Sequence, residues 1–340
     1  MEAAVLKAIG KDLEVEEREV PVPEGNEILI KQPFTGICYR DILTREGFFP
    51  RVSLPMIPGH ELSGTVVEIG DDVEYFKKGD RVAGLIYVPC GHCENCISGN
   101  ENLCAFKKTM GENLQGTYRE YITINQRALV KVPDGVPEEL ATIAACVTGM
   151  ATHALDSVAG IAPGKRVLIT GAGGGVGSHA IQIAKAYGAE VTAVTSSQWK
   201  SDDLYRLGAD HVIMASDSFS KELKGIWADG ANIVMENTGS ATFRESFRSL
   251  AFGGKMVVPG NLSPASPELP LGILILKGNT VAGSISSTRN DMEKALLLSK
   301  KGKIKPVIWD RIELKDVNTA MKNIKEKKNV GRVLIKFSKN

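Results

Sequence analysis

No charge of one sign predominates in this 340-residue chain: Lys and Arg total 41 against 40 Asp and Glu. That balance excludes both the basic footprint of a nucleic-acid binder and the acidic excess of a solvating tail. Long apolar runs are missing too. The longest, Leu269 to Leu276, is far too short to span a bilayer. The start, Met1-Glu2-Ala3-Ala4-Val5, lacks the basic residues and apolar stretch of an export signal, so a cytoplasmic protein with neither membrane nor nucleic acid as partner is expected. Against that plain background six cysteines stand out: Cys38, Cys90, Cys93, Cys96, Cys104 and Cys146. Four of them crowd into a single short stretch. In a chain of this size without a signal, metal binding is the expected use rather than disulfides.

Texture changes along the chain. Residues 1–150 carry short β-like runs broken by Gly and Pro, such as Glu27 to Lys31, Gly64 to Gly70 and Tyr121 to Ile124, which predicts a β-rich domain. Residues 151–287 alternate strand-like and helix-like segments: Arg166 to Thr170, then Ser178 to Tyr187, Glu190 to Thr195, Lys200 to Leu207, Ala209 to Met214, Ala231 to Met235 and Gly254 to Val258. Such alternation predicts a doubly wound parallel sheet with helices on both faces, an α/β fold. In residues 288–340, helical stretches at 291–300 and 316–325 precede a strand, Arg332 to Ile335, which is expected to return to the first domain.

Cys90-x2-Cys93-x2-Cys96-x7-Cys104, in a lobe of about 88–106, has the spacing of a closed tetrahedral zinc site, with Gly91 and Gly99 easing the turns. Such a site has no open position, so its role is structural. Disulfides or an iron–sulfur cluster are the alternatives; His92, inside the loop, reads as a surface residue. Two cysteines remain, Cys38 and Cys146, and His60 sits in Pro58-Gly59-His60-Glu61-x2-Gly64. One histidine and two thiolates match the open three-ligand arrangement of catalytic zinc. Alone, His60 would read as a core or surface residue; its company, Gly59, Glu61 and Gly64, makes the case.

A glycine run, Gly171-Ala172-Gly173-Gly174-Gly175-Val176-Gly177, follows a strand and opens a helix, as a pyrophosphate cradle requires. Its spacing departs from the strict dinucleotide pattern. The next strand ends in Thr195-Ser196-Ser197 where an NAD enzyme places a carboxylate for the ribose 2′-hydroxyl. Those hydroxyls with Lys200 suit a 2′-phosphate, so NADP(H) is expected, with NAD(H) also accepted. The alternative leaves Lys200 as a solvated helix charge. Asn237, Thr238, Gly260 and Asn261 follow later strands and should add cofactor contacts.

These motifs, with Gly36-Ile37-Cys38-Tyr39-Arg40-Asp41 and Cys146-Val147-Thr148-Gly149, occur in the order found in zinc-dependent medium-chain alcohol dehydrogenases, which the chain resembles over essentially its whole length. The resemblance implies a GroES-like catalytic domain beside a Rossmann domain, two zinc ions per subunit, and alcohol–aldehyde or alcohol–ketone interconversion by hydride transfer on a small-molecule substrate. It implies Cys38, His60 and Cys146 as ligands of the catalytic zinc, Asp41 orienting His60, Glu61 beneath the metal as an exchangeable ligand, and Thr148 at the nicotinamide. It also implies a homodimer or homotetramer; Leu271 to Leu276, a β-like apolar run, is expected to be an interface strand or, equally, a buried core strand.

One position departs from the family. A Ser or Thr hydroxyl usually begins the proton relay two residues after the first cysteine ligand; here Arg40 stands there, and Tyr39 replaces the usual histidine. An arginine only donates and keeps its charge. It would bind an anion or a polarised oxygen, or turn away into a salt bridge. Cys38-Tyr39-Arg40-Asp41, Gly47-Phe48-Phe49-Pro50-Arg51 and Leu271 to Lys277 resemble archaeal acryloyl-CoA reductases of the same superfamily, which implies reduction of an activated carbon–carbon double bond as the alternative. The full set of catalytic zinc ligands favours carbonyl chemistry. Complete metal and nucleotide motifs argue against a non-catalytic nucleotide-binding relative.

Overall fold

Alternating burial shapes the first part of the chain. In Tyr121–Asn125 only Ile122 and Ile124 are buried, the period-two pattern of a strand with one face on a core. A computed structural model, which describes residues 1–263 and 265–337, arranges five strands antiparallel in the order Leu129–Lys131, Arg81–Gly84, Leu62–Ile69, Glu27–Lys31 and Tyr121–Asn125. Ile28, Ile30, Leu62, Val66 and Ile122 fill its core. A second small sheet sets Arg332–Lys336 between Ile308–Ile312, parallel, and Phe34–Ile37, antiparallel. The last strand thus returns to the first domain, and it has a near neighbour in Ile308–Ile312 that the sequence did not suggest.

Continuous apolar runs shape the other part. Six strands lie parallel in the order His211–Met214, Glu190–Thr195, Arg166–Ile169, Ala231–Met235, Leu250–Val258 and Thr280–Gly283. The inner strands Arg166–Ile169 and Ala231–Met235 are almost wholly buried, as a sheet covered on both faces requires. The strand order reverses between these two, so their carboxyl ends form the crevice where such folds bind nucleotides.

The chain divides into two compact units: Met1–Gly149 with Ser287–Lys300 and the chain from Ile308 onward, and Met150–Ser286 with Lys301–Val307. The expected third stretch is therefore itself divided, because 301–307 goes with the second unit. Hydrogen bonds explain this. Gln182 exchanges two with the Lys305 backbone, and the Val307 amide donates to His179 Nε2 at 3.0 Å.

One expectation is overturned. Leu271–Lys277 is a helix, not a strand. Pro270 precedes it and Gly278, at φ 61°, ends it in the left-handed conformation, the usual Pro-first, Gly-last signature. Its Ile and Leu content suggested a strand, but none of its residues is buried. The edge strand is Thr280–Gly283 instead. Among the described residues no helix is long and apolar enough to cross a membrane.

Candidate metal and cofactor sites

Cys38 ends the strand Phe34–Ile37 and caps the helix Tyr39–Arg45. Asp41, in that helix's first turn, returns a carboxylate oxygen to the Cys38 amide at 2.9 Å. Its other oxygen lies 3.0 Å from Nδ1 of His60. The hydroxyl of Tyr118 donates to Asp41 at 2.8 Å. His60 is therefore fixed with Nε2 free to face the cysteines. Gly59, at φ 90°, makes the turn before it, where a Cβ would stand 2.4 Å from the Tyr118 ring. Cys146 comes from a π-helical turn, Ala144–Gly149, an uncommon geometry frequent at functional sites.

These elements bring ligand atoms of Cys38, His60, Glu61 and Cys146 within 4.8 Å of one another. The sulfurs of Cys38 and Cys146 are 3.8 Å apart, and Nε2 of His60 is 3.2 Å from Cys146 Sγ. Zinc with bonds of about 2.3 Å to sulfur in a tetrahedron sets its thiolates about 3.8 Å apart, so the donor set fits. Electrostatics fit as well. The Cys146 thiol hydrogen bond holds Cys38 well below the usual thiol range, while the same bond and burial push Cys146 up. Burial opposes a charged His60, but Asp41 outweighs it and raises the imidazole to about 10. The protein alone thus keeps one thiolate and one proton-bearing imidazole; a divalent cation would instead call for two thiolates and a neutral ring.

Glu61 is fully buried and pairs with Arg332, a residue that sequence reasoning missed. Arg332 heads the last strand, where a charge in an apolar run was the available signal. Arg332 also donates to Cys146 Sγ at 3.6 Å. Burial pushes the Glu61 carboxyl up and Arg332 opposes it. Oε2 of Glu61 is buried without a hydrogen-bond partner among the described residues. It occupies space that only Gly36 leaves, since a Cβ there would stand 1.6 Å away.

Arg40 ion-pairs with Glu112 and lies 4.7 Å from the Phe49 ring centroid. Of the two expectations for it, the salt bridge is what forms. Thr148 is fully buried and donates to the Ala144 carbonyl at 3.3 Å.

Cys90, Cys93, Cys96 and Cys104 form a second cluster within 4.8 Å. Sulfur separations of 3.8 Å for Cys90–Cys96 and 3.5 Å for Cys93–Cys96 again suit tetrahedral zinc. A hydrogen bond from the His92 amide pulls Cys90 down to about 6, while burial pushes Cys96 up to about 12. His92 is exposed and bonds the Cys90 carbonyl.

In the second unit the glycine run connects Arg166–Ile169 to the helix Gly175–Ala186, with Gly174 as its cap. A Cβ on Gly177 would meet the Gly171 carbonyl at 2.5 Å, so helix and turn pack backbone to backbone. The Lys200 side chain lies across the run: a Cβ on Gly173 would be 2.5 Å from its Cδ, and Lys200 is 5% exposed. Thr195 closes its strand and accepts from the Ser197 amide at 3.2 Å. Asn237, Thr238, Gly260 and Asn261 meet: a Cβ on Gly239 would strike Asn261 and one on Gly260 would approach the Asn237 carbonyl. What ties them down was missed in the sequence. Glu236, fully buried, accepts from the Thr238 and Gly239 amides at 2.8 and 2.9 Å and from the hydroxyls of Thr170, Thr242 and Ser246.

Comparison with known proteins bears on these sites. Residues 24–134 match the family model of the alcohol dehydrogenase GroES-like domain, and residues 175–301 that of the zinc-binding dehydrogenases. The chain is 41% identical to an acryloyl-coenzyme A reductase of Sulfurisphaera tokodaii, over 99% of this chain and 100% of that protein. It is 34% identical to an alcohol dehydrogenase of Geobacillus stearothermophilus, over the full length of both. The crystal structure of an NAD-dependent alcohol dehydrogenase superposes with a TM-score of 0.93 at 30% identity, covering 99% of this chain and 100% of that one.

Proposed function

Since the chain belongs to the medium-chain dehydrogenase/reductase family, as an oxidoreductase among its zinc-binding dehydrogenases, we propose that it is an NADPH-dependent reductase of a carbon–carbon double bond conjugated to a thioester carbonyl. The observation that carries this is Arg40, held by Glu112 and Phe49 where relatives that oxidise alcohols begin a proton relay. Oxidising an alcohol requires its hydroxyl proton to leave, and a guanidinium locked in an ion pair offers no exit. Reducing a conjugated double bond adds hydride at the β-carbon and a proton at the α-carbon; no proton leaves the substrate's oxygen. The 41% identity to a protein named acryloyl-coenzyme A reductase supports the same assignment.

Two zinc ions per subunit are part of this proposal. One would be held by Cys38, His60 and Cys146, with Glu61 in reserve, the other by Cys90, Cys93, Cys96 and Cys104. When bound, the first supplies a Lewis acid for a carbonyl oxygen and the nicotinamide supplies hydride. Asp41, itself held by Tyr118, orients the His60 ring so that Nε2 faces the cysteines. Arg332 balances the buried Glu61 so that the site does not become anionic. The glycine run cradles the pyrophosphate. Thr195, Ser196, Ser197 and Lys200, with no carboxylate ending the strand Glu190–Thr195, favour a 2′-phosphate. The exposed Leu271, Ile275 and Leu276 beside the open edge strand Thr280–Gly283 suit pairing with a second copy, hence a homo-oligomer. Six cysteines without a disulfide suit a reducing cytoplasm.

Carbonyl reduction is the second reading, favoured by the intact ligand set of Cys38, His60 and Cys146. The deciding experiment follows NADPH oxidation with acryloyl-CoA and, in parallel, a panel of ketones and aldehydes on one zinc-loaded preparation. Turnover of acryloyl-CoA with little on carbonyls is expected. Turnover on carbonyls alone would overturn the thioester assignment.

A further inference from the structure

The stretch from Gly47 to Ser53 and the turn at 107–112 come together, the Ser53 amide donating to the Glu112 carbonyl at 3.3 Å. Arg51, Lys107, Lys108 and Glu112 lie on these two segments, and Arg40 joins them through Glu112. Glu112 is already committed to Arg40, which stacks on Phe49. Arg51 is exposed and forms no ion pair among the described residues. Lys107 is half-buried; its ammonium donates to the Asn102 carbonyl and stands 5.6 Å from the Tyr87 ring centroid. The charge of Arg51 is near enough to act on the Lys107 ammonium, as are those of Cys104 and Glu112 in the opposite sense. A free guanidinium beside a half-buried ammonium, with the neighbouring carboxylate shared with Arg40, leaves positive charge only partly compensated. Phe48, 40% exposed and packed edge-on to Phe49 at 5.2 Å, adds an aromatic face at the same place.

We propose that Arg51 and Lys107, beside the Arg40–Glu112 ion pair, recognise the phosphates of a coenzyme A substrate. This rests on the thioester assignment above. Phosphate takes the planar fork of an arginine and the point charge of a lysine, and the Phe48 face offers an adenine ring a platform. Lys107 neighbours the four-cysteine cluster, its amide donating to the Cys104 carbonyl at 3.4 Å, but neither cation belongs to the Cys38, His60 and Cys146 set, so the patch acts on substrate choice rather than on the reaction itself.

The test is equilibrium binding to the zinc-loaded enzyme, by calorimetry, of coenzyme A, 3′-dephospho-coenzyme A and phosphate-free pantetheine, for the wild type, Arg51→Ala and Lys107→Gln. Coenzyme A should bind more tightly than pantetheine, and each substitution should cut that preference about tenfold. The variants should also show a weaker loss of coenzyme A binding as salt rises. Dephospho-coenzyme A then tells which phosphate is held. An unchanged preference in both variants overturns the proposal, as does displacement of coenzyme A by inorganic phosphate at equal concentration, which would make the patch a general anion site. If coenzyme A binds as expected but acryloyl-CoA is not reduced, the thioester assignment fails while the patch stands.

Discussion

Nδ1 of His60 lies 3.0 Å from a carboxylate oxygen of Asp41, and this contact orients the ring and, with Cys38, raises its proton affinity against burial. In the metal-free protein it favours charged imidazole. The stability this contributes is full below the ordinary histidine value of about 6.5 and is lost as pH rises through about 10. Zinc needs the neutral ring, so its affinity for metal-stripped protein should climb over the same window. Asp41→Asn should flatten that climb and weaken zinc binding by about 10–100-fold. Competition with a chelating dye across pH measures both; an unchanged pH slope in the variant would refute the role given to Asp41.

Arg332→Met should destabilise the protein by about 3–5 kcal/mol, because it leaves Glu61 as a buried charge without a partner. Replacing both, Glu61→Gln with Arg332→Met, should recover a large part of the loss. Denaturant melts of the two singles and the double decide it. Strict additivity would mean that the pair does not act as a unit.

Lys200→Ala should raise KM for NADPH about tenfold and leave KM for NADH nearly unchanged, since a charged hydrogen bond to a 2′-phosphate is lost and nothing else. Steady-state kinetics with both cofactors check this. An equal effect on both would assign Lys200 to supporting the glycine run at Gly173.

Cys104→Ser should lower the zinc content from two ions per chain to one and shift the melting temperature down, while retaining metal at Cys38, His60 and Cys146. Metal analysis beside a thermal melt separates the two sites.

Much of the site was readable from sequence because each element announced itself by residue type. Cysteine spacing marked one cluster, and a glycine run after a strand marked the cofactor loop. Asp41 was legible only through the resemblance to the zinc-dependent dehydrogenases, since nothing in its spacing points to His60. Tyr118 and Arg332 were not, because their roles depend on contacts far along the chain: Arg332 meets Glu61 across 271 positions; Glu236 was not, because its mostly local contacts need the turn after its strand to fold back on the carboxylate. The fold class was legible from alternating elements, whereas Leu271–Lys277 misled because Ile and Leu suit a strand as well as a helix, and the deciding signals were Pro270 and Gly278 at its ends. The salt bridge of Arg40 was one of two open options; choosing between them required knowing that Glu112 lies alongside.

The place of the final strand has a consequence for the order in which the molecule is made. Arg332–Lys336 sits in the middle of its small sheet, between Ile308–Ile312 and Phe34–Ile37. On the ribosome, Phe34 emerges early and must wait through nearly the whole of translation for its neighbour. The six-stranded sheet, drawn from one unbroken run of chain between Arg166 and Gly283, has all its strands to hand well before that. The half that is synthesised first is therefore finished last, and a nascent chain stopped short of Arg332 carries Glu61 without its counter-charge.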